Sequence, residues 1–273
     1  MESIETQGIR IPRLGLGTFR MPAQDCRTAV ESALSLGYRH LDTAEMYENE
    51  AAVGDAIAAS GIARKKLHVT TKVWHEHLKP DALRRAFDTS LSKLKLDFVD
   101  LYLLHWPSRD MNIGATLNAM MKLREEKLVR AIGVANFNLR LLKEAVETID
   151  IPIACNQIEY HVFLDQTPML QYLRSKAIPL VAYAPLAQGR AAEHVALKAI
   201  GTKHNATGAQ IALAWLLEQH GVAAIPKAQR ATSQQSNLEA SNIKLDDDDH
   251  RAIAALPKDQ RSVNPPFAPT WDV

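Results

Sequence analysis

The chain has 273 residues, of which 47% are hydrophobic and 23% charged, and its formal net charge at pH 7 is +1. This is the composition of a globular protein with a sizeable core, and it gives no electrostatic case for binding nucleic acid or an anionic membrane. The two cysteines, Cys26 and Cys155, form no C-x-x-C pair, and the first twelve residues lack the apolar core of a signal peptide. We therefore expect a cytoplasmic protein without disulfides.

Eight short apolar runs recur along the chain. They are continuous rather than alternating, which predicts strands that are buried on both faces. The predicted strands are Leu14–Gly17, Arg39–Asp42, His68–Lys72, Val99–His105, Ala131–Ala135, Ile153–Gln157, Leu180–Tyr183 and Ala223–Pro226.

The segments between these runs carry apolar residues at three- and four-residue spacing, which is typical of amphipathic helices. The predicted helices are Arg27–Leu36, Glu50–Ala59, Pro80–Leu94, Ala115–Glu126, Leu139–Thr148, Pro168–Ser175 and Ala209–Gln219. Because strand and helix alternate with connections too long for hairpins, the pattern predicts a parallel sheet closed into a (β/α)₈ TIM barrel, a single domain over residues 1–273.

Three further segments complete the predicted architecture. GIRIPRLGLG predicts an N-terminal hairpin that closes the barrel bottom. The acidic run Asp246–Asp249 predicts the first turn of a helix, where acids interact favourably with the helix dipole. The tail SVNPPFAPTWDV has three prolines, which exclude a helix, and we expect it to lie over the barrel mouth.

Four chemically complementary residues lie at or just past three successive predicted strand ends: Asp42, Tyr47, Lys72 and His105. In a barrel these strand ends meet on one face. Tyrosine has an ordinary pKa of about 10, and a nearby ammonium such as Lys72 lowers the pKa of a phenol. Asp42 would keep Lys72 charged, and His105 would donate a hydrogen bond to a substrate oxygen. The set is suited to protonating a carbonyl oxygen.

Eight segments in chain order carry a resemblance to a known family. They are LGLGTFR (14–20), GYRHLDTAEMYENEAAVGDAI (37–57), TKVW (71–74), LDFVDLYLLHWP (96–107), IGVANF (132–137), NQIEYH (156–161), YAPLAQG (183–189) and AIPKAQR (224–230). They resemble the motifs of the aldo-keto reductase family over nearly the whole chain. Within the family the chain is most similar to the bacterial 2,5-diketogluconate reductases of the B type.

The resemblance implies a reversible, NADPH-dependent reduction of an aldehyde or ketone, with Tyr47 as the proton donor. The substrate that it suggests is a keto-sugar or a bulky ketone. Around the nicotinamide, it implies that Tyr183 stacks on the ring and that Asn136 and Gln157 bind the carboxamide. Thr18 and Asp42 lie where the family contacts the nicotinamide ribose.

At the other end of the cofactor, the resemblance places Leu186 and Gln188 beside the pyrophosphate. It places Lys227 and Arg230 at the adenosine 2′-phosphate, which favours NADPH over NADH. A phosphate site after the last strands of a barrel, at a helix N-terminus, also recurs in this fold on physical grounds.

The chain departs from common family patterns at four cofactor-side positions. Ala135 and Ala228 stand where the family often has serine, Ser233 where many members have arginine, and Ser236 where glutamate is common. These departures remove contacts to the cofactor but leave the four catalytic candidates unchanged. The expected substrate pocket has Tyr47 and His105 at its polar end and an apolar wall of four side chains, namely Phe19, Trp74, Trp106 and Trp271.

Three other interpretations of the sequence are possible. An NADPH-binding regulatory subunit with little turnover is the main alternative, although the complete set of catalytic candidates opposes it. A Schiff-base lysine at Lys72 would need a depressed pKa, which an ion pair with Asp42 opposes. Tyr172 and Lys176 have the Y-x-x-x-K spacing of another reductase class but are read as helix-surface residues. No metal site is predicted, and a monomer acting on a small molecule is the simplest expectation.

Overall fold

The structure is a computed structural model that describes residues 2–272. A two-stranded antiparallel hairpin begins the chain, with β1 at Ser3–Thr6 and β2 at Ile9–Pro12. Eight parallel strands follow and pair in chain order as one curled sheet. They are β3 (Leu16–Gly17), β4 (His40–Asp42), β5 (His68–Val73), β6 (Val99–Leu104), β7 (Val129–Ala135), β8 (Ile153–Glu159), β9 (Leu180–Tyr183) and β10 (Val222–Ala224).

The first and last strands of the sheet are joined by backbone contacts. Parallel bridges link Leu14 to Ala224 and Gly17 to Lys227, and the amide of Gly15 donates to the carbonyl of Ala224 at 2.9 Å. Gly17 permits this approach, because a Cβ at that position would lie 2.7 Å from the carbonyl oxygen of Ile225. The eight-stranded α/β architecture predicted from the sequence is therefore confirmed.

Helices cover the outside of the sheet. They are α1 (Ala23–Leu36), α2 (Glu50–Ala59), α3 (Pro80–Leu94), α4 (Ile113–Glu125), α5 (Leu139–Lys143), α6 (Thr167–Ser175), α7 (Arg190–Glu193), α8 (Val195–Lys203), α9 (Gly208–Glu218), α10 (Ala231–Glu239) and α11 (Asp247–Ala254). No helix in the described part of the chain is long and apolar enough to cross a membrane.

Two predicted helices illustrate how sequence signals translate into structure. α11 begins as predicted at the acidic run: Asp246 is its N-cap, and Asp246 and Asp249 form a reciprocal capping box. The predicted helix Leu139–Thr148 is only partly α-helical, because its second half, Glu144–Thr148, is a π-helical turn. The short helices α7 and α8 were not predicted.

The N-terminal hairpin is present, but its first strand, Ser3–Thr6, lies before the predicted segment GIRIPRLGLG, which supplies the second strand of the hairpin and the first strand of the parallel sheet. Ile9 and Ile11 are buried in a cluster with residues of the sheet interior, among them Leu101, Cys155 and Ala223. The hydroxyl of Thr6 donates to the carbonyl of Ala154 at 3.0 Å and fixes the hairpin to the start of β8. The candidate catalytic residues Asp42, Lys72 and His105 lie at the opposite end of the sheet, where β4, β5 and β6 terminate.

Candidate active site

Lys72 is the centre of a buried polar cluster at the carboxyl ends of β4 and β5. Its ammonium pairs with a carboxylate oxygen of Asp42, and both side chains are almost completely buried. The same nitrogen donates to the carbonyl of Thr43 at 2.8 Å and to the hydroxyl of Tyr47 at 3.3 Å. The structure therefore brings together three of the four candidates predicted from the sequence.

Tyr47 reaches this cluster from a single 3₁₀ turn, Glu45–Tyr47, which lies between β4 and α2. The turn is held by Asn49, whose amide donates to the carbonyls of Thr18 and Met21 at 2.9 and 3.1 Å. Asn49 also accepts a hydrogen bond from the hydroxyl of Thr43 at 2.9 Å. Its side chain is therefore committed to fixing the turn, and it caps no helix despite its position before α2.

His105 directly follows β6 and supplies the fourth candidate. Its ring lies 5.5 Å from the ring of Tyr47 and 5.2 Å from that of Trp74. Burial and the charges of Lys72 and His75 hold the pKa of His105 well below its ordinary value, so the imidazole is neutral near pH 7. Its Nδ1 is buried and meets no partner among the described residues. We therefore assign the proton to Nε2, which leaves a donor for a ligand oxygen.

The ionisation of Lys72 and Tyr47 follows from competing effects. Burial lowers the pKa of Lys72, but the charges of Asp42 and Tyr47 and the hydrogen bonds to them outweigh burial, and the pKa is raised. Burial raises the pKa of Tyr47, and the opposing effect of Lys72 does not overcome it. The net lowering expected for Tyr47 from the sequence is therefore wrong. The neighbouring ammonium is present, but the phenol is desolvated as well.

Two amide side chains connect the cluster to the neighbouring strands. Gln157, on β8, donates through Nε2 to the second carboxylate oxygen of Asp42 at 2.7 Å. Asn136, just after β7, donates to the carbonyl of His105 at 2.9 Å and accepts from the hydroxyl of Tyr183 at 2.7 Å. Asn136 has a left-handed backbone with φ of 60°, a conformation that asparagine tolerates better than most residues.

The remaining cofactor candidates line the same end of the sheet. Thr18 is buried and bonds to the carbonyl of Asp42. Leu186 and Gln188 lie in the loop after β9, where Ala184, Ala187 and Gln188 all have left-handed φ values of 46–56°. Three such non-glycine residues in one loop are uncommon. Contacts with the surrounding structure must therefore stabilise these left-handed conformations.

The two predicted phosphate-binding cations are exposed after β10. Lys227 donates to the backbone carbonyl of Arg20 at 2.9 Å, and Arg230 is the N-cap residue of α10. Both positions are compatible with a phosphate at the start of that helix. Arg20 was not singled out from the sequence; its guanidinium lies 5.0 Å from the ring of Phe19 at the mouth.

Aromatic side chains form a continuous wall beside Tyr47. Phe19 is 42% exposed and lies 5.0 Å from the ring of Tyr47. Trp106 contacts Trp271 of the tail at 6.1 Å between ring centroids. Phe267, which sequence reasoning missed, packs against Trp74 at 5.7 Å and Trp106 at 5.6 Å. Its place in a proline-rich tail gave no periodic signal that could have identified it.

The tail is fixed in place by a buried carboxylate. Glu159, at the end of β8, accepts hydrogen bonds from the backbone amides of Ser262 and Val263 at 2.7 and 2.9 Å. Although burial alone would raise the pKa of Glu159, its hydrogen bonds with His161 and with these amides outweigh burial and lower it. Arg261 stacks on Trp271 at 3.8 Å. The carboxylate of Glu159, at the end of β8, therefore holds the tail in its place.

Tyr172 and Lys176 lie far from this chemistry. Tyr172 is on α6 and donates to Glu147 at 3.2 Å, and Lys176 pairs with the same carboxylate at 2.8 Å. They form a surface polar cluster, as the sequence predicted for helix-surface residues.

Comparison with known proteins identifies the family. The model of the aldo/keto reductase family matches residues 13–258. The chain is 41% identical over 266 residues to the methylglyoxal reductase DkgB of Escherichia coli O157:H7, covering 96% of this chain and 99% of that protein. It is 39% identical to the glyoxal reductase of Bacillus subtilis (strain 168) over 93% of this chain and 92% of the relative.

Solved structures agree with this assignment. A protein assigned provisionally as a 2,5-diketo-D-gluconic acid reductase B superposes with a TM-score of 0.97 at 40% identity, covering 100% of this chain and 98% of that one. The aldose reductase of Schistosoma japonicum superposes with a TM-score of 0.94 at 29% identity. The site and the fold define a carbonyl reductase, and this chain belongs to the aldo/keto reductase family. The family resemblance and the reaction class expected from the sequence, carbonyl reduction, are confirmed.

Proposed function

We propose that this chain reduces an aldehyde or ketone with NADPH, and that Tyr47 donates the proton to the carbonyl oxygen. The observation that carries this assignment is the buried pair of Lys72 and Asp42 beneath the Tyr47 hydroxyl, with Lys72 3.3 Å from that hydroxyl. A complete set of this kind opposes the alternative of a regulatory subunit with little turnover. The proposal takes the curled sheet as the closed barrel of the family and the tail as a wall over its mouth.

The surroundings of each catalytic residue determine its role in the proposed reaction. A bound nicotinamide supplies the hydride for the carbonyl carbon. The neutral His105 orients the carbonyl oxygen by donating from Nε2, and Tyr47 transfers its phenolic proton to that oxygen. Lys72, held protonated by Asp42, stabilises the phenolate that forms on Tyr47. In the oxidative direction the same phenolate would accept the proton.

The residues of the site fit a nicotinamide cofactor. Asn136 and Gln157 are buried amides at neighbouring strand ends, suited to a carboxamide, and the ring of Tyr183 is partly exposed beside them. We assign ribose contacts to Thr18 and Asp42. The left-handed loop that contains Leu186 and Gln188 would hold the pyrophosphate. Two exposed cations near α10, Lys227 and Arg230, support a preference for the 2′-phosphate of NADPH.

The aromatic wall narrows the class of substrate. It is formed by Phe19, Trp74, Trp106, Phe267 and Trp271, with Tyr47 and His105 at the polar end. Ligand pockets of this kind combine apolar walls with a few polar groups. Relatives are named for methylglyoxal, glyoxal and diketogluconate. We propose a small-molecule carbonyl compound, either a keto-sugar or a bulky ketone, reduced by a cytoplasmic monomer.

Tyr47→Phe tests the proton donor. The substitution removes the hydroxyl and retains the ring, so the aromatic wall is preserved. We expect kcat for 4-nitrobenzaldehyde reduction to fall by roughly 10²–10⁴-fold, the usual contribution of general acid catalysis. The Kd for NADPH, measured by fluorescence titration, should change less than twofold. A variant that retains most of its kcat would show that Tyr47 is not the acid.

Lys227→Ala and Arg230→Ala test the cofactor preference. Each substitution removes a cation assigned to the 2′-phosphate, which NADH lacks. We expect the Kd for NADPH to rise at least tenfold in the double variant while the Kd for NADH stays within twofold. Lys244→Ala, which removes an exposed cation elsewhere on the surface, serves as the matched control. Equal weakening of both cofactors would contradict the assignment.

A further inference from the structure

Glu45 joins the two loops that face each other across the candidate active site. It begins the 3₁₀ turn that ends at Tyr47. Its Oε2 accepts a hydrogen bond from the backbone amide of Trp74 at 2.9 Å, and its Oε1 lies 2.6 Å from Nδ1 of His77. One carboxylate therefore links the turn of the proton donor to the loop that follows β5.

The chemistry of the contact with His77 is set by the carboxylate. An ionised carboxylate only accepts hydrogen bonds, so Nδ1 of His77 must carry the hydrogen, either as a neutral tautomer or as an imidazolium. The loop of His77 is itself closed, because its backbone amide donates to the carbonyl of Trp74 at 3.0 Å. Glu45 thus binds both ends of the short segment from Trp74 to His77.

The segment that Glu45 holds carries part of the substrate wall. The ring of Trp74 lies 5.2 Å from His105 and 5.7 Å from Phe267 of the tail. His75 lies between Trp74 at 4.5 Å and Phe267 at 4.3 Å. A displacement of this segment would therefore move the wall relative to the two groups that contact the carbonyl oxygen.

The loops are joined twice. Inside, Lys72 of β5 bonds to Thr43 and Tyr47 and is needed for the proton transfer itself. Nearer the surface, the second connection is made by Glu45, which alone among the described side chains bonds to the backbone of Trp74. The exposed ion pair with His77 alone would be worth little, since its histidine is 46% exposed. The bond to the partly buried backbone amide is charge-assisted, and bonds of that kind are about twice as strong as neutral ones.

We propose that Glu45 is a positioning residue that sets the separation between the catalytic groups and the Trp74 wall, and so determines specificity for substrates wide enough to touch that wall. The inference rests on the carbonyl reduction proposed above. It assigns Glu45 no contact with substrate or cofactor. A small carbonyl compound that reaches only Tyr47 and His105 should depend on Glu45 much less than a planar aromatic aldehyde.

The test compares two substrates in four variants. Glu45→Ala removes both bonds, Glu45→Gln retains an acceptor for the Trp74 amide, and His77→Ala removes only the outer partner. Glu76→Ala is the matched control, because it deletes an exposed carboxylate from the same segment. The readout is kcat/KM for 4-nitrobenzaldehyde divided by kcat/KM for methylglyoxal, both at saturating NADPH.

We expect Glu45→Ala to lower this ratio at least tenfold, chiefly through KM for the aromatic aldehyde. Glu45→Gln and His77→Ala, which both retain an acceptor for the Trp74 amide, should keep the ratio within about threefold of the starting protein, and Glu76→Ala should leave it unchanged. A Glu45→Ala ratio equal to that of Glu76→Ala would overturn the proposal. So would a parallel loss for both substrates without rescue by Gln. If the unmodified protein reduces neither substrate, the proposed function fails instead.

Discussion

In the proposed mechanism, the protonation state of Tyr47 sets how fast the site catalyses each direction of the reaction at a given pH. Reduction needs the phenol and oxidation needs the phenolate. Because burial raises the pKa of Tyr47 despite Lys72, the side chain is a phenol throughout the neutral range. The site as built therefore holds the proton that reduction consumes.

This state predicts different pH profiles for the two directions. The kcat for reduction should stay flat between pH 6 and 9, since Tyr47 keeps its proton and His105 stays neutral across that range. The kcat for oxidation of the product alcohol should rise steadily with pH as the small phenolate fraction grows. Both profiles are measured by nicotinamide absorbance at saturating cofactor. A reduction profile that falls with a midpoint below pH 9 would contradict a raised pKa at Tyr47.

At the same scale, Gln157 and Asn136 bond to the catalytic cluster and are also the residues proposed to bind the cofactor. Each amide donates one hydrogen to the catalytic cluster, Gln157 to Asp42 and Asn136 to the carbonyl of His105. Because Gln157 uses its Nε2 toward Asp42, its amide oxygen is the atom that we propose as the acceptor for the cofactor's carboxamide. Substitutions here will therefore affect turnover and cofactor binding together.

At the scale of elements, the strands were the most predictable part of the fold. Each predicted strand lies within two residues of its observed bounds, because a strand buried on both faces needs a continuous apolar run. The strand ends then place Asp42, Lys72 and His105 without further information. Tyr47 also follows, since the turn before α2 is short.

Elements without a periodic pattern were predicted less well. α7 has four residues and follows a loop with three left-handed residues, so no helical pattern precedes it. The tail was correctly excluded from helix by its prolines. Its contacts, such as Phe267 on Trp106 and the backbone of Ser262 on Glu159, depend on tertiary placement that local spacing does not encode. The net pKa shift of Tyr47 likewise depends on burial that only the fold supplies.

At the scale of the whole molecule, two histidines are enclosed at the N-terminal ends of the neighbouring strands β4 and β5. His40 and His68 are fully buried with their rings 4.6 Å apart, edge to face. Burial lowers the pKa of each, and for His68 the positive charges of Arg64 and Arg130, together with the charge that His40 gains on protonation, lower it further. Asp42 and Asp100 partly oppose the effect at His40. Neither ring accepts a proton easily while the protein is folded.

These histidines predict a loss of stability in acid. The unfolded chain protonates each near pH 6.5 and the folded chain only at lower pH, so the unfolded state binds more protons below pH 6.5. The contribution of these histidines to the free energy of unfolding is therefore fully present above pH 6.5. It is lost as the pH decreases, by up to about 1.4 kcal/mol per pH unit for each histidine. Urea unfolding midpoints between pH 7.5 and 5 measure this slope.

His68→Gln should flatten that slope, whereas His220→Gln, at an exposed position, should leave it unchanged. An identical slope in His68→Gln and the starting protein would show that His68 does not limit acid stability. His105, which is also buried, has a lowered pKa as well and would account for part of any remaining slope.

The N-terminal hairpin and the first strand of the sheet both bond to distant parts of the chain. Thr6 binds Ala154, and the segment from Leu14 to Gly17 binds residues 224–227. These partners lie 148 and about 210 residues further along the chain, so these contacts form only after the later strands have been synthesised. Ile9 and Ile11 are buried against residues such as Cys155 and Ala223, so full burial of these two apolar side chains waits for the second half of the chain.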